Sequence, residues 1–114
     1  MSCLFDSLSK FVNILSQDLR KQICDYLRNN PSILDDIKVS EVIKWESGMD
    51  IHNYINKMEQ YSTWGGGIEI KCFCEIYKIG VNVLYNGKKI EFIPSSGNHT
   101  TIINLNYTGN HYYS

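Results

Sequence analysis

Val81-Asn82-Val83-Leu84-Tyr85-Asn86-Gly87-Lys88-Lys89-Ile90-Glu91-Phe92-Ile93 is the stretch that separates this chain from an all-helical protein. Val81, Val83 and Tyr85 recur at a period of two, the signature of a half-buried strand. Asn86-Gly87 accepts positive φ at both central positions of a tight hairpin turn, and Lys88 to Ile93 forms the returning strand. Pro94 to His99 reads as a loop, and Thr101 to Tyr107 (TIINLNY) as a third strand. Thr108-Gly109-Asn110 then turns the chain into a short last segment, His111 to Ser114.

Upstream of the hairpin the period is helical. Phe5, Leu8, Val12 and Leu15 form one apolar stripe, and Ser16 is placed to cap a second helix carried by Leu19, Ile23, Tyr26 and Leu27. Pro31 disfavours the α conformation at Asn30, so that helix should stop there. Residues 32–49 keep no single period and are expected to form short, moderately exposed helical turns. Asp50 is a plausible N-cap for a third helix with Ile51, Tyr54, Ile55 and Met58 on one face. After Trp64-Gly65-Gly66-Gly67, a fourth helix from Gly67 to Lys78 carries apolar residues on nearly every face and should be buried. Helices packed on a small, mainly antiparallel β-sheet make an α+β fold, read as a single domain over residues 1–114.

The chain has 114 residues, 43% of them hydrophobic and 20% charged, enough to bury a core without metals or disulfides. Eleven Lys and Arg against twelve Asp and Glu give a net charge of −1. With no basic block, the charge pattern speaks against nucleic acid as a partner. No apolar run approaches the roughly 18 residues of a membrane span, and no secretory leader is evident. Cys3, Cys24, Cys72 and Cys74 are then read as reduced thiols, and a cytoplasmic, monomeric protein is expected. Richness in Ile, Asn and Lys suits an AT-rich genome.

Free cysteine is among the most buried residue types, and Cys24, Cys72 and Cys74 fit that description. Cys72 and Cys74 stand only two apart on a helix, with no second Cys or His pair at zinc-finger distance, so a metal site is rejected. Cys3 differs, because it opens the first helix. There, backbone N–H groups and the helix's partial positive charge favour a nucleophilic thiolate. A cysteine hydrolase also needs an imidazole in contact with its thiolate, at any distance along the sequence. His111 follows the Gly109-Asn110 turn at the start of a strand. His52 and His99 read as solvated or capping histidines.

Three ordered blocks single out the Cys3 and His111 pair. Ser2-Cys3-Leu4-Phe5-Asp6-Ser7-Leu8-Ser9, Trp64-Gly65-Gly66-Gly67-Ile68-Glu69-Ile70-Lys71-Cys72-Phe73-Cys74-Glu75-Ile76-Tyr77, and Thr101-Ile102-Ile103-Asn104-Leu105-Asn106-Tyr107 through Asn110-His111-Tyr112 resemble the OTU (ovarian tumour) cysteine proteases. The resemblance covers nearly the whole chain. It implies a papain-like OTU cysteine protease fold and a deubiquitinase that hydrolyses isopeptide bonds at the C-terminus of ubiquitin or a ubiquitin-like protein. Cys3 would be the nucleophile and His111 the general base, with no cofactor. The oxyanion would be held by backbone N–H groups at Cys3 and in the turn before it.

Trp64 is assigned first to packing the start of the fourth helix, and Glu69 to a fixed helix carboxylate. Trp64, Gly65, Gly66 and Gly67 are also assigned to the wall of a channel for the ubiquitin tail, since glycine allows close backbone approach. Ile33, Ile37, Val39, Ile43 and the sheet rim near Tyr85 are further candidates for a ubiquitin-facing surface, with several of them read first as core. The family pattern places an acidic residue and a Gly or Asn shortly before the nucleophile, where this sequence has Met1 and Ser2. It places Asp or Asn two residues after the histidine, where this sequence has Tyr113. Those two departures carry the alternative reading, a weak or inactive OTU domain that binds ubiquitin or another protein without cutting it.

Overall fold

The computed structural model describes residues 3–99 and 101–114. In chain order the elements are α1 (Cys3–Val12), α2 (Ser16–Arg28), β1 (Ser32–Leu34), β2 (Ile37–Lys38), α3 (Val39–Ser47), α4 (Ile51–Met58), α5 (Gly67–Tyr77), β3 (Ile79–Tyr85), β4 (Lys88–Phe92), β5 (Thr101–Tyr107) and β6 (Tyr112–Tyr113). The α+β class holds. α5 is the central element, lying between α2 and the sheet, with Ile68, Ile70, Cys72, Phe73 and Cys74 all buried.

The larger sheet has the order β4-β3-β5-β6. β3 and β4 pair antiparallel across Asn86 and Gly87, whose φ values of 51° and 75° meet the requirement of a tight hairpin. β5 pairs with β3 in parallel, from Ile79 opposite Thr101 to Leu84 opposite Asn106, so this pairing departs from the antiparallel hairpin arrangement. The direction follows from the hairpin. β4 returns the chain to the end where β3 began, and β5 starts from there on the other side of β3. Burial decides that side: Ile103 and Leu105 on β5 continue the inward face of Val81 and Val83, whereas β4 is almost wholly exposed. On the outward face Asn82 Nδ2 donates to Asn104 Oδ1 at 3.3 Å.

Residues 32–49 depart most from expectation. They form the short β1–β2 hairpin followed by a regular helix, and Ile33, Val39, Val42 and Ile43 are buried. Two periods abut here. A two-residue pattern through the hairpin gives way at Val39 to a helical one, so neither is visible over the whole stretch. The Pro31 carbonyl accepts the Val39 N–H at 2.8 Å and Asn30 Oδ1 accepts the Ser40 N–H at 3.0 Å, tying the hairpin to the start of α3. Ile33, Val39 and Ile43 are therefore core, as the core reading has it, and offer no surface to a partner. The exposed apolar side chains of this stretch are Leu34 and Trp45.

The helix boundaries follow local chemistry. α1 stops at Val12, where Asn13 takes a φ of 56°, leaving Leu15 63% exposed instead of continuing the stripe. α2 is capped by Leu15, whose carbonyl accepts from Asp18 and Leu19, and Ser16 is its first residue. Asp50 is the N-cap of α4, its Oδ1 accepting the Asn53 N–H at 2.9 Å and its Oδ2 the Asn53 amide at 2.8 Å. Asp50→Ala removes both acceptors and is expected to destabilise the protein by about 1 kcal/mol. Urea unfolding checks this, and an unchanged midpoint would refute it.

Candidate active site

Cys3 is the first residue of α1 and is half-buried, whereas Cys24, Cys72 and Cys74 are fully buried. All four are free thiols. Burial pushes the Cys24 and Cys74 thiols up to about 12 and raises Cys72 as well, so none of these three supplies a thiolate at neutral pH. Among the described residues no group of three His, Cys, Asp or Glu side chains is arranged to hold a metal ion.

α1 lies along β6. Ser7 Oγ donates to the Tyr112 carbonyl at 3.4 Å, and one turn later Lys10 Nζ donates to Ser114 Oγ at 3.4 Å. The two elements therefore run in the same direction. One helical turn back from Ser7 is Cys3, a step of about 6 Å, matching about two strand residues and bringing Cys3 level with the turn before Tyr112. Burial pushes the Tyr112 hydroxyl up to about 12, with smaller contributions from Tyr107, Glu69 and Cys3. His111 precedes Tyr112, is exposed, and stacks on Tyr113 with ring centroids 6.3 Å apart.

The backbone of the His111 turn is held locally. The Thr108 N–H donates to the His111 carbonyl at 3.0 Å, Thr108 Oγ1 donates to Asn110 Oδ1 at 2.9 Å, and the Tyr107 hydroxyl donates to the Gly109 carbonyl at 2.7 Å. Gly109 takes a φ of 105°, which a side chain would strain. Below the turn, Tyr107 stacks on Tyr112 at 4.4 Å and meets Tyr85 at 5.4 Å. This tyrosine cluster is a support that sequence periodicity does not reveal, because its members come from three strands.

The Trp64–Gly67 turn sits against the start of α1. An added Cβ at Gly65 would lie 2.8 Å from Leu4 Cδ2 and 3.0 Å from Phe5 Cε2, so only glycine fits without movement. Trp64 itself is 53% exposed, which corrects its assignment to packing. With Gly65–Gly67, Tyr54 and Met58 it lines a cleft of about 270 Å³. Met1 and Ser2, to which the resemblance assigns oxyanion-holding amides, lie outside the described residues.

Two charged residues that periodicity alone does not single out support this turn. Glu69, 1% exposed, accepts the Gly66 N–H on Oε1 at 2.7 Å and the Tyr54 hydroxyl on Oε2 at 2.5 Å. Its position three residues after Gly66 at a helix start is the capping-box signal that could have revealed it. Arg20 is 4% exposed, lies 4.2 Å over the Phe5 ring, and donates to the Met58, Tyr61 and Thr63 carbonyls.

Burial pushes the Glu69 carboxyl up to about 7 despite its hydrogen bonds and the nearby Arg20. The folded protein thus keeps a proton up to about pH 7 that the unfolded chain releases near 4.5. The resulting stabilisation is complete below pH 4.5 and is lost as the pH rises through about 7, amounting to about 3 kcal/mol. In urea unfolding at about pH 5 and about pH 8, wild type should lose more stability than Glu69→Gln over that interval. Equal losses in both proteins would refute the assignment.

The comparisons with known proteins agree with this geometry. The family model described as OTU-like cysteine protease matches residues 2–112. A candidate ubiquitin thioesterase of Invertebrate iridescent virus 3 is 30% identical over 99% of this chain and 14% of its own length. A ubiquitin thioesterase of Schizosaccharomyces pombe is 30% identical over 83% of this chain and 33% of its own. The chain thus spans a third or less of these curated relatives. Among solved structures, an OTU domain in complex with ubiquitin superposes with a TM-score of 0.79 at 22% identity, covering 99% of this chain and 62% of that one. The viral OTU protease domain of Dera Ghazi Khan virus gives 0.68 at 17% identity, covering 97% of this chain and 71% of that one. At such identities the structures speak to the fold alone, while the family model spans the sequence from Ser2 to Tyr112. This chain belongs to the OTU-like cysteine protease family.

Proposed function

We propose that this domain is a deubiquitinase acting on isopeptide or peptide bonds at the C-terminal glycine of ubiquitin or a ubiquitin-like protein. The observation that carries the proposal is that Cys3, the least buried of the four thiols, opens α1, the helix that packs along β6, the strand directly after His111. His111 takes the proton of the Cys3 thiol, and the thiolate attacks the glycine carbonyl carbon. The tetrahedral intermediate collapses as His111 protonates the leaving lysine amine, leaving a thioester on Cys3. Water, deprotonated by His111, then attacks the thioester and releases the ubiquitin carboxylate and the thiol. The Trp64–Gly67 turn forms one wall of the channel that receives the ubiquitin tail, opposite the strand leading to His111. With four free thiols, the domain is assigned to the cytoplasm, or to the host cytoplasm for a viral source.

The test is to incubate the protein with ubiquitin bearing an electrophilic C-terminus. A mass increase of one ubiquitin, mapped to the Cys3 peptide, is expected, and its absence would overturn the hydrolase. A second reading has one observation in its favour: Tyr113, stacked on His111, occupies the position where an orienting Asp or Asn is expected. Saturable ubiquitin binding with no covalent adduct would favour that reading, a ubiquitin-binding domain without turnover.

A further inference from the structure

The proposed chemistry leaves Glu69 and Arg20 without a task, yet both are buried and both act on the same segment. Arg20 holds the Met58, Tyr61 and Thr63 carbonyls at 2.7, 3.2 and 3.0 Å and rests on the Phe5 ring. Glu69 holds the other end of the segment through the Gly66 N–H, and is itself fixed to α4 by Tyr54. Between these anchors, Gly65 is pressed onto Leu4 and Phe5, the two residues that follow Cys3. A continuous set of contacts therefore runs from Glu69 through Gly66 and Gly65 to the first turn of α1.

Burying a carboxyl group is unfavourable whether it ionises away from water or holds its proton, and an apolar side chain of similar size would fill the same volume without that cost. What the apolar side chain lacks is an acceptor for the Gly66 N–H. An amide left without a partner there would release the turn from α5 or draw water into the contact with Leu4.

We propose that Glu69 is a positioning residue for Cys3: by holding the Gly66 N–H it keeps Gly65 seated on Leu4 and Phe5, and so sets the helix turn that carries the thiol. The inference rests on the assignment of Cys3 as nucleophile. Arg20 serves the same segment from its other end, leaving Glu69 as the group that determines the turn nearest Cys3.

Glu69→Leu, Glu69→Gln and Gly65→Ala test this, each first checked for a wild-type circular dichroism spectrum and a cooperative melt. Two rates are measured: turnover of ubiquitin carrying a fluorogenic C-terminal amide, and alkylation of Cys3 by iodoacetamide. Glu69→Leu is expected to lose about 100-fold in kcat, the size of effect that follows a misplacement of about 1 Å. It should also change the rate of Cys3 alkylation. Glu69→Gln, whose amide oxygen still accepts from Gly66, should recover both rates. Gly65→Ala, with Glu69 intact, should reproduce the change in alkylation by pushing the turn off Leu4.

A folded Glu69→Leu protein with wild-type rates overturns the proposal, as does a Glu69→Gln protein no better than Glu69→Leu. If Glu69→Leu does not fold, Gly65→Ala decides alone, and unchanged alkylation in it overturns the proposal. A wild-type protein that alkylates at Cys3 but neither labels with ubiquitin nor turns it over removes the ubiquitin reading. The alkylation comparison still decides the role of Glu69 in that case.

Discussion

Cys3→Ala is expected to abolish both the covalent ubiquitin adduct and turnover, a loss of at least about 10⁴-fold, while leaving the melting temperature close to that of wild type. The size of the loss follows from the other thiols. Cys24, Cys72 and Cys74 are all 0% exposed, and burial raises each of them well above the usual thiol range. None can reach a protein substrate or stand in as a thiolate. The small effect on stability follows from the half-buried position of Cys3 at the end of its helix, where removing one sulfur opens no cavity in the core. Fluorogenic turnover and differential scanning calorimetry on the same sample check both halves. Residual turnover in the variant would place the nucleophile elsewhere.

His111→Ala is expected to lower kcat/KM for the fluorogenic ubiquitin substrate by about 10³-fold, within the range for loss of a general acid–base. His111 is exposed, and its turn is held by backbone and by Thr108, Asn110 and Tyr107, so the change should leave the fold intact. Imidazole added to the solution should restore part of the lost rate, because an exposed ring leaves an accessible space behind. A variant with wild-type turnover would refute the assignment. A variant with lost turnover but no recovery and a lowered melting temperature would indicate a structural role for the ring.

The site is legible in the sequence to different depths. Cys3 and His111 carry their own chemistry, and the ordered blocks around them point to a family. The glycines at 65–67 announce a close approach without saying to what, and the structure supplies the answer in Leu4 and Phe5. Trp64 shows the limit of arguing from side-chain size: a large apolar ring suggests packing, yet it lines an open cleft at 53% exposure. Glu69 carried a capping signal, but not its bond to Tyr54, which stands on another helix fifteen residues away. The support of the His111 turn is of the same kind, since Tyr85, Tyr107 and Tyr112 meet only when three strands are assembled.

Sequence by itself determined the elements whose signals are local. The Asn86-Gly87 turn, the TIINLNY strand, the Asp50 cap and the largely apolar α5 each depend on a few neighbouring residues, and each is found where that chemistry puts it. Where two periods met, as between Ile33 and Ile43, local reasoning misjudged both structure and burial. Tertiary structure alone decided that β5 runs parallel to β3, that Ile33, Val39 and Ile43 are core, and that α1 lies along β6, the strand that follows His111. These outcomes depend on which apolar faces share one core, a choice made by burial between segments about a hundred residues apart, as in the bond from Ser7 to Tyr112. Periodicity within a single segment cannot express such a choice.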